Sequence, residues 1–130
     1  MRGRNGFTLI EMLITVAMVA ILAAIALPVY TQYIIRSKRS AAEAQMMDIA
    51  TRQQQFLVVN RNYADKTALE ASGYALPAEV SANYSYAITL SATAVPGFTL
   101  TFTPTSTGSQ TSDGALTLTS EGVKSPAGKW

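Results

Sequence analysis

A single carboxylate, Glu11, stands in an otherwise apolar stretch of twenty-one residues, 7–27, that reads FTLIEMLITVAMVAILAAIAL. An ionised carboxylate inside a membrane-spanning helix costs at least ~2.5–3.5 kcal/mol. The chemistry open to Glu11 is therefore ion pairing, with a cation or a set of donors brought to it. The dipole of a helix's first turn supplies only about 0.3–1 kcal/mol of that. Just upstream, Gly6 closes a short basic segment, MRGRNG. Having no side chain, it leaves the backbone there open to close approach.

The rest of the chain is poor in catalytic chemistry. It has no cysteine and no histidine, which removes thiolate nucleophiles, disulfides, most zinc sites and the usual general base. The acids are scattered, the many Ser and Thr hydroxyls have no neighbouring base motif, and Asp113 and Glu121 are too isolated for a calcium site. An enzyme, a cofactor and a metal centre are all counter-indicated. Net charge is +2, but Arg2 and Arg4 lie in the segment before Phe7. Without them, eight basic side chains (Arg36, Lys38, Arg39, Arg52, Arg61, Lys66, Lys124, Lys129) face eight acidic ones. Overall charge thus gives no indication of nucleic acid as a partner.

The elements that must position Glu11 follow from periodicity. At about 1.5 Å per residue, a helix over residues 7–27 spans roughly 30 Å, the thickness of a bilayer's hydrocarbon core. Pro28 lacks an N–H and should kink or loosen the helix. Beyond it, residues 29–59 are rich in helix formers. Ile35, Ala42, Met46, Ile49 and Phe56 form an apolar stripe that Gln53 interrupts, and Arg36, Lys38, Arg39, Glu43 and Arg52 fall on the other faces, where a solvated surface is expected, with lipid headgroups or a neighbour's acids as the alternative partners of the basic cluster 36–39. Asn60 is a fitting stop. Residues 65–72 predict a short helix ended by Gly73, with Pro77 following as a breaker.

Then the period changes to two. Tyr84, Tyr86, Ile88 and Leu90, then Phe98, Leu100 and Phe102, then Leu116 and Leu118 alternate with Ser, Thr and Ala. These are three one-faced strands, with a short fourth near Val123. The aromatic residues among them read as core facing the helix. The fold class is α+β: a long N-terminal helix, its first half transmembrane, packed on a three- to four-stranded antiparallel sheet. The organisation is a leader at 1–6, a membrane and core helix at 7–28, and a head at 29–130 that includes the helix's second half.

The run Gly6-Phe7-Thr8-Leu9-Ile10-Glu11 followed by the apolar span resembles the class III signal of type IV prepilins and pseudopilins. The likeness continues through Pro28, the stretch ALPVYTQYIIRSKRSAAEAQ (26–45), NRNYA (60–64) and ALTLTSEGVKSPAGKW (115–130), whose wording is most similar to PilE-like minor pilins. The resemblance implies cleavage by prepilin peptidase between Gly6 and Phe7, N-methylation of Phe7, and assembly roles for Glu11 and Pro28. In that reading Glu11 attracts the freed Phe7 amine of a neighbouring subunit and sets axial register. Pro28 marks where the helix bends or melts in the filament.

The implied protein is a structural subunit of a type IV pilus, a minor pilin supporting assembly, twitching or adhesion. Its implied partners are other pilin subunits, the peptidase, an assembly platform in the inner membrane, and lipid before assembly. It would sit as a single-pass inner-membrane protein with its N-terminus in the cytoplasm, then in the extracellular pilus. The alternative within the family is a pseudopilin of a type II secretion system. Many relatives carry a C-terminal cysteine pair; its absence here leaves open how the loop 105–113 and the tail are fastened. A secreted protein with an ordinary signal peptide competes through Ala24-Ile25-Ala26. A mature N-terminus at Phe7 supports the pilin, one at Leu27 the secreted protein.

Overall fold

A computed structural model describes residues 6–130; residues 1–5 of the expected leader, with Arg2 and Arg4, lie outside the described residues. The chain divides into two compact units, the first running to Ile34 and the second covering Ile35–Trp130. One helix, α1 (Leu9–Asn60), contributes to both.

In the first unit α1 is apolar all round, and no residue from 6 to 33 is buried. Among the described residues this is the one helix long and apolar enough to cross a membrane. Pro28 lies inside the helix without ending it. It removes the amide that would bond the Ala24 carbonyl, so the ladder has one missing rung.

In the second unit the apolar stripe of α1 turns inward. Ile35, Ala42, Met46, Ile49 and Gln53 are buried, and Phe56 is partly so. The stripe covers a four-stranded antiparallel sheet in sequential order: β1 (Tyr84–Leu90), β2 (Phe98–Pro104), β3 (Leu116–Thr119) and β4 (Lys124–Ser125). Register sets Tyr86 opposite Phe102, and Phe102 opposite Leu116, so that same-face side chains meet across strands. The core joins Met46 and Ile49 to Tyr84, Tyr86, Phe98, Leu100, Phe102, Leu116 and Leu118. The aromatic residues are core, as their alternation predicts. Burying such side chains fully stabilises by about 1.5–3 kcal/mol each.

The connection after Asn60 is built from caps. Arg61 takes the left-handed conformation that ends α1, at φ 56°. The short helix α2 (Lys66–Ala71) starts on Asp65, whose carboxylate accepts the Ala68 amide at 2.8 Å. It ends before Gly73, at φ 95°. A further turn, α3 (Ala78–Ser81), follows Pro77. Pro77 therefore opens a helix rather than only breaking one, because a proline's missing amide costs nothing at a helix start.

Gln53 does more than interrupt the stripe. It is fully buried, its Nε2 donates to the Ala64 carbonyl at 2.7 Å, and its Oε1 accepts the Ala64 amide at 2.8 Å. It behaves as a backbone group, docking the connecting segment on α1. Gln53→Leu keeps the volume but strands both Ala64 groups, an expected loss of about 2 kcal/mol. The thermal midpoint of the head should fall by on the order of 10 °C; an unchanged midpoint would show that water replaces the clamp.

Candidate functional site

The N-terminal end of α1 is organised by a reciprocal cap. Thr8 precedes α1, and its hydroxyl accepts the Glu11 amide at 3.3 Å. Glu11 Oε2 in turn accepts the Thr8 amide at 2.8 Å and the Thr8 hydroxyl at 2.7 Å. This is a capping box, in which residues three apart satisfy each other's free amides at a helix start. The ion-pair expectation for Glu11 does not include Thr8, although the Thr-x-x-Glu spacing is the sequence signal for it. In the single subunit the carboxylate is thus held by its own first turn. Thr8 and Glu11 remain exposed, open to a neighbour.

Phe7 is 85% exposed. A Cβ built on Gly6 would meet nothing within 4 Å, so nothing among the described residues requires glycine there. Any such requirement comes from what approaches from outside. Phe7, just before α1, and Glu11 and Pro28 within it all fall in the first unit, spread along the chain rather than gathered into a pocket.

The second unit holds a different constellation, one that periodicity does not assemble. Arg39, expected on a solvated helix face, is instead engaged, and the structure corrects that expectation. Its guanidinium grips both oxygens of Asp113, with Nε–Oδ2 at 2.6 Å and Nη2 on Oδ1. The two side chains are only 16% and 5% exposed. Lys129 Nζ donates to the Asp113 carbonyl and lies 3.5 Å from Oδ1, while its own carbonyl lies 3.4 Å from Arg39 Nη1. Gln110, fully buried, donates to the Ile35 carbonyl at 3.0 Å and to the Tyr84 hydroxyl at 2.8 Å. Lys38 donates to Ser109 at 2.9 Å. These bonds fasten the loop 105–113 and the tail to α1. They answer how this cysteine-free chain fastens its C-terminal region.

Electrostatics follow from that geometry. Burial would raise the Asp113 carboxyl, but the hydrogen bond and charge of Arg39, with Lys129, outweigh it and hold the group below the ordinary carboxylate value. Glu43 is moved the other way. Burial raises it against the pull of Arg39 and Lys124, and its Oε1 is buried without a hydrogen-bond partner. Burial also pushes the Tyr74 hydroxyl up to about 12.

Around this seam the charge is one-sided. Arg36 and Lys124 are exposed, and Lys38, Arg39 and Lys129 are partly so, against the carboxylates of Glu43 and Asp113. Lys124 lies over the Trp130 ring at 5.0 Å. A neutral total thus conceals a basic stripe along α1, β4 and the tail. Helical periodicity shows only its α1 members, since Lys124 and Lys129 arrive through the sheet's last turn. Among the described residues no group of acids or histidines is arranged to hold a metal.

A long apolar helix with a capped acid at its start, continuing as the spine of a four-stranded head, defines the α+β type IV pilin fold. Residues 28–119 match the family described as type IV minor pilin ComP, DNA uptake sequence receptor, and residues 1–27 match the prokaryotic N-terminal methylation motif. The chain belongs to this type IV minor pilin family, a family of structural proteins rather than enzymes.

The fimbrial protein EcpC of Eikenella corrodens is 38% identical over 107 residues, covering 81% of this chain and 65% of that protein. The type IV major pilin protein PilA of Myxococcus xanthus is 43% identical over 61 residues, 47% of this chain and 28% of that protein. A fimbrial protein of Moraxella nonliquefaciens is 55% identical over 42 residues, covering 32% and 27%. The chain spans less than two thirds of the length of these curated relatives. No solved structure gives a significant match.

Proposed function

We propose that this minor pilin is cut between Gly6 and Phe7 by prepilin peptidase, N-methylated on Phe7, held in the inner membrane by residues 7–28, and then built into a pilus. The observation that carries this reading is the first half of α1, an apolar helical surface with no buried residue from 9 to 33. Such a surface is stable in lipid and then among the helices of other pilin subunits, and the transfer keeps it away from water throughout. In this reading Glu11 exchanges its Thr8 partners for the Phe7 amine of a neighbour. Pro28, with one rung already missing, is where the helix loosens during extraction by the assembly platform.

We further infer that the assembled subunit contacts DNA. The matching family is described as a DNA uptake sequence receptor, and the basic stripe supports the same task for this chain. Arg36, Lys38 and Lys124, the last held over the Trp130 ring, offer separated cations to a phosphate backbone. The hydroxyls of the loop 105–113 add neutral donors.

The test is duplex binding by the full mature chain in uncharged detergent. Combining Lys38→Glu with Lys124→Glu should weaken binding at least ~tenfold and reduce the salt slope by about 2, one for each phosphate left unneutralised. Unchanged affinity and slope in a folded variant would remove the stripe from DNA binding.

A further inference from the structure

One acid stands within the basic stripe without a bonded partner. Glu43 lies on α1, one helical turn beyond Arg39. Its Oε1 is buried and accepts no hydrogen bond, and among the described residues no ion pair reaches it. The charged and titratable groups that act on it come from every element around it: Arg39 from α1, Asp113 from the loop 105–113, Tyr84 from β1 and Lys124 from β4. Each of them is engaged elsewhere. Arg39 grips Asp113, Lys129 of the tail reaches that same carboxylate, Tyr84 accepts from Gln110, and Lys124 lies over the Trp130 ring. Only the field of Arg39 and Lys124 therefore favours the ionised form of Glu43, against its burial and against Asp113. A buried charge held by a field, with no donor on its inner oxygen, is easily tipped to the neutral form.

We propose that Glu43 couples DNA binding to a proton: it is ionised in the free subunit and takes up a proton when a phosphate docks on Lys124. This inference rests on the DNA reading above and adds its regulation. A phosphate on Lys124 brings negative charge to one of the two cations whose field keeps Glu43 ionised, and the neutral acid then becomes the cheaper state. Such coupling is reciprocal: where DNA favours the proton on Glu43, the proton favours DNA by the same factor. Affinity therefore rises as pH falls through the raised range in which Glu43 titrates, and levels off below it. Asp113 is held below the ordinary carboxylate value and Tyr84 is pushed above the ordinary phenol value. Among the groups at this place, the change between neutrality and the ordinary carboxylate range thus belongs to Glu43.

The experiment measures duplex binding by the full mature chain in uncharged detergent, at constant ionic strength, from about pH 7.5 down to about pH 5.5. Affinity should rise at least ~threefold over that range. Calorimetry in two buffers of different ionisation heat should show net proton uptake on binding. Glu43→Gln should bind at neutral pH as tightly as the native chain does at the acid end, with a flat pH response and no uptake. Glu121→Gln, on the exposed turn after β3, removes the same charge and should leave both the pH response and the uptake in place. The carboxyl carbon resonance of Glu43 in the native chain, followed with and without duplex, reports the same proton and needs no variant to fold. An equal pH response in the native chain and folded Glu43→Gln, or zero uptake by the native chain, would overturn the proposal. Duplex bound without proton uptake leaves the DNA reading standing and this one refuted. No duplex binding at any pH refutes the DNA reading, and the coupling with it.

Discussion

Glu11→Gln is expected to leave cleavage after Gly6 intact and to lower incorporation into filaments at least ~tenfold, a loss that corresponds to about 1.4 kcal/mol or more. The substitution isolates charge from capping. Glutamine at the third helical position still accepts the Thr8 amide through its side-chain oxygen, so the reciprocal cap at 2.7–2.8 Å survives in kind. What disappears is the anion that a neighbouring Phe7 amine would meet among apolar helices. There, removing one member of a charge pair costs about 2–5 kcal/mol, much of it from the stranded partner. Leader removal, measured by N-terminal sequencing, and filament content, measured in sheared pili, must be read together. Normal values for both would refute the register role, whereas failed cleavage would place Glu11 with the peptidase instead. Thr8→Val provides the complementary case, since it weakens the cap and keeps the charge. It should shift incorporation far less than Glu11→Gln.

The parts of this molecule that are legible in the sequence are those governed by one repeating period. The apolar span, the stripe Ile35–Ala42–Met46–Ile49 and the alternation at Tyr84–Leu90 each repeat often enough to overdetermine an element. The chain's special residues are harder because each acts through a single pairing across long separations. Arg39 and Asp113 are 74 residues apart, and no periodicity in α1 distinguishes an arginine that meets a loop from one that meets water. Gln53 looks like a fault in the stripe because hydrophobic patterning ranks a buried amide as an error. Its geometry is that of a backbone substitute. The basic stripe is hidden by cancellation, since whole-chain charge also counts Asp48, Asp65, Glu70 and Glu79, of which Asp48 pairs with Arg52 and Glu70 with Lys66. Only the fold brings residues 36–39 and 124–130 to one seam.

That seam makes Asp113 the residue whose loss should destabilise the head most among those holding the tail. Asp113→Ala leaves the Arg39 side chain, 16% exposed, without its bidentate partner, and takes the carboxylate from Lys129 as well, which keeps only the backbone carbonyl of residue 113. Breaking a buried pair from one side costs about 3–5 kcal/mol, and partial access of water to Arg39 argues for the lower end, about 3 kcal/mol. Thermal unfolding of the full chain in detergent, followed by the near-ultraviolet signal of Trp130 and the tyrosines, measures it. Arg39→Met combined with Asp113→Ala should be less harmful than the sum of the two, because an apolar pair strands no charge.

The pH dependence supplies an independent check, with two groups of opposite sign. Asp113 sits below its ordinary value in the fold. Its contribution is complete above the unfolded value near ~3.9 and is lost as pH falls through the lower folded value. Glu43 is raised by burial. Its contribution is complete below the unfolded value near ~4.3 and is lost as pH rises through the higher folded value. The native chain should therefore lose stability most steeply below about pH 4, where Asp113 takes up its proton. Asp113→Asn should remove that acid limb and leave the Glu43 contribution, so that this variant becomes slightly more stable as pH falls from neutrality toward the ordinary carboxylate range. An unchanged acid limb in Asp113→Asn would mean that the tail is fastened by the Lys38, Gln110 and β4 bonds, with the charge pair only completing a loop they already hold.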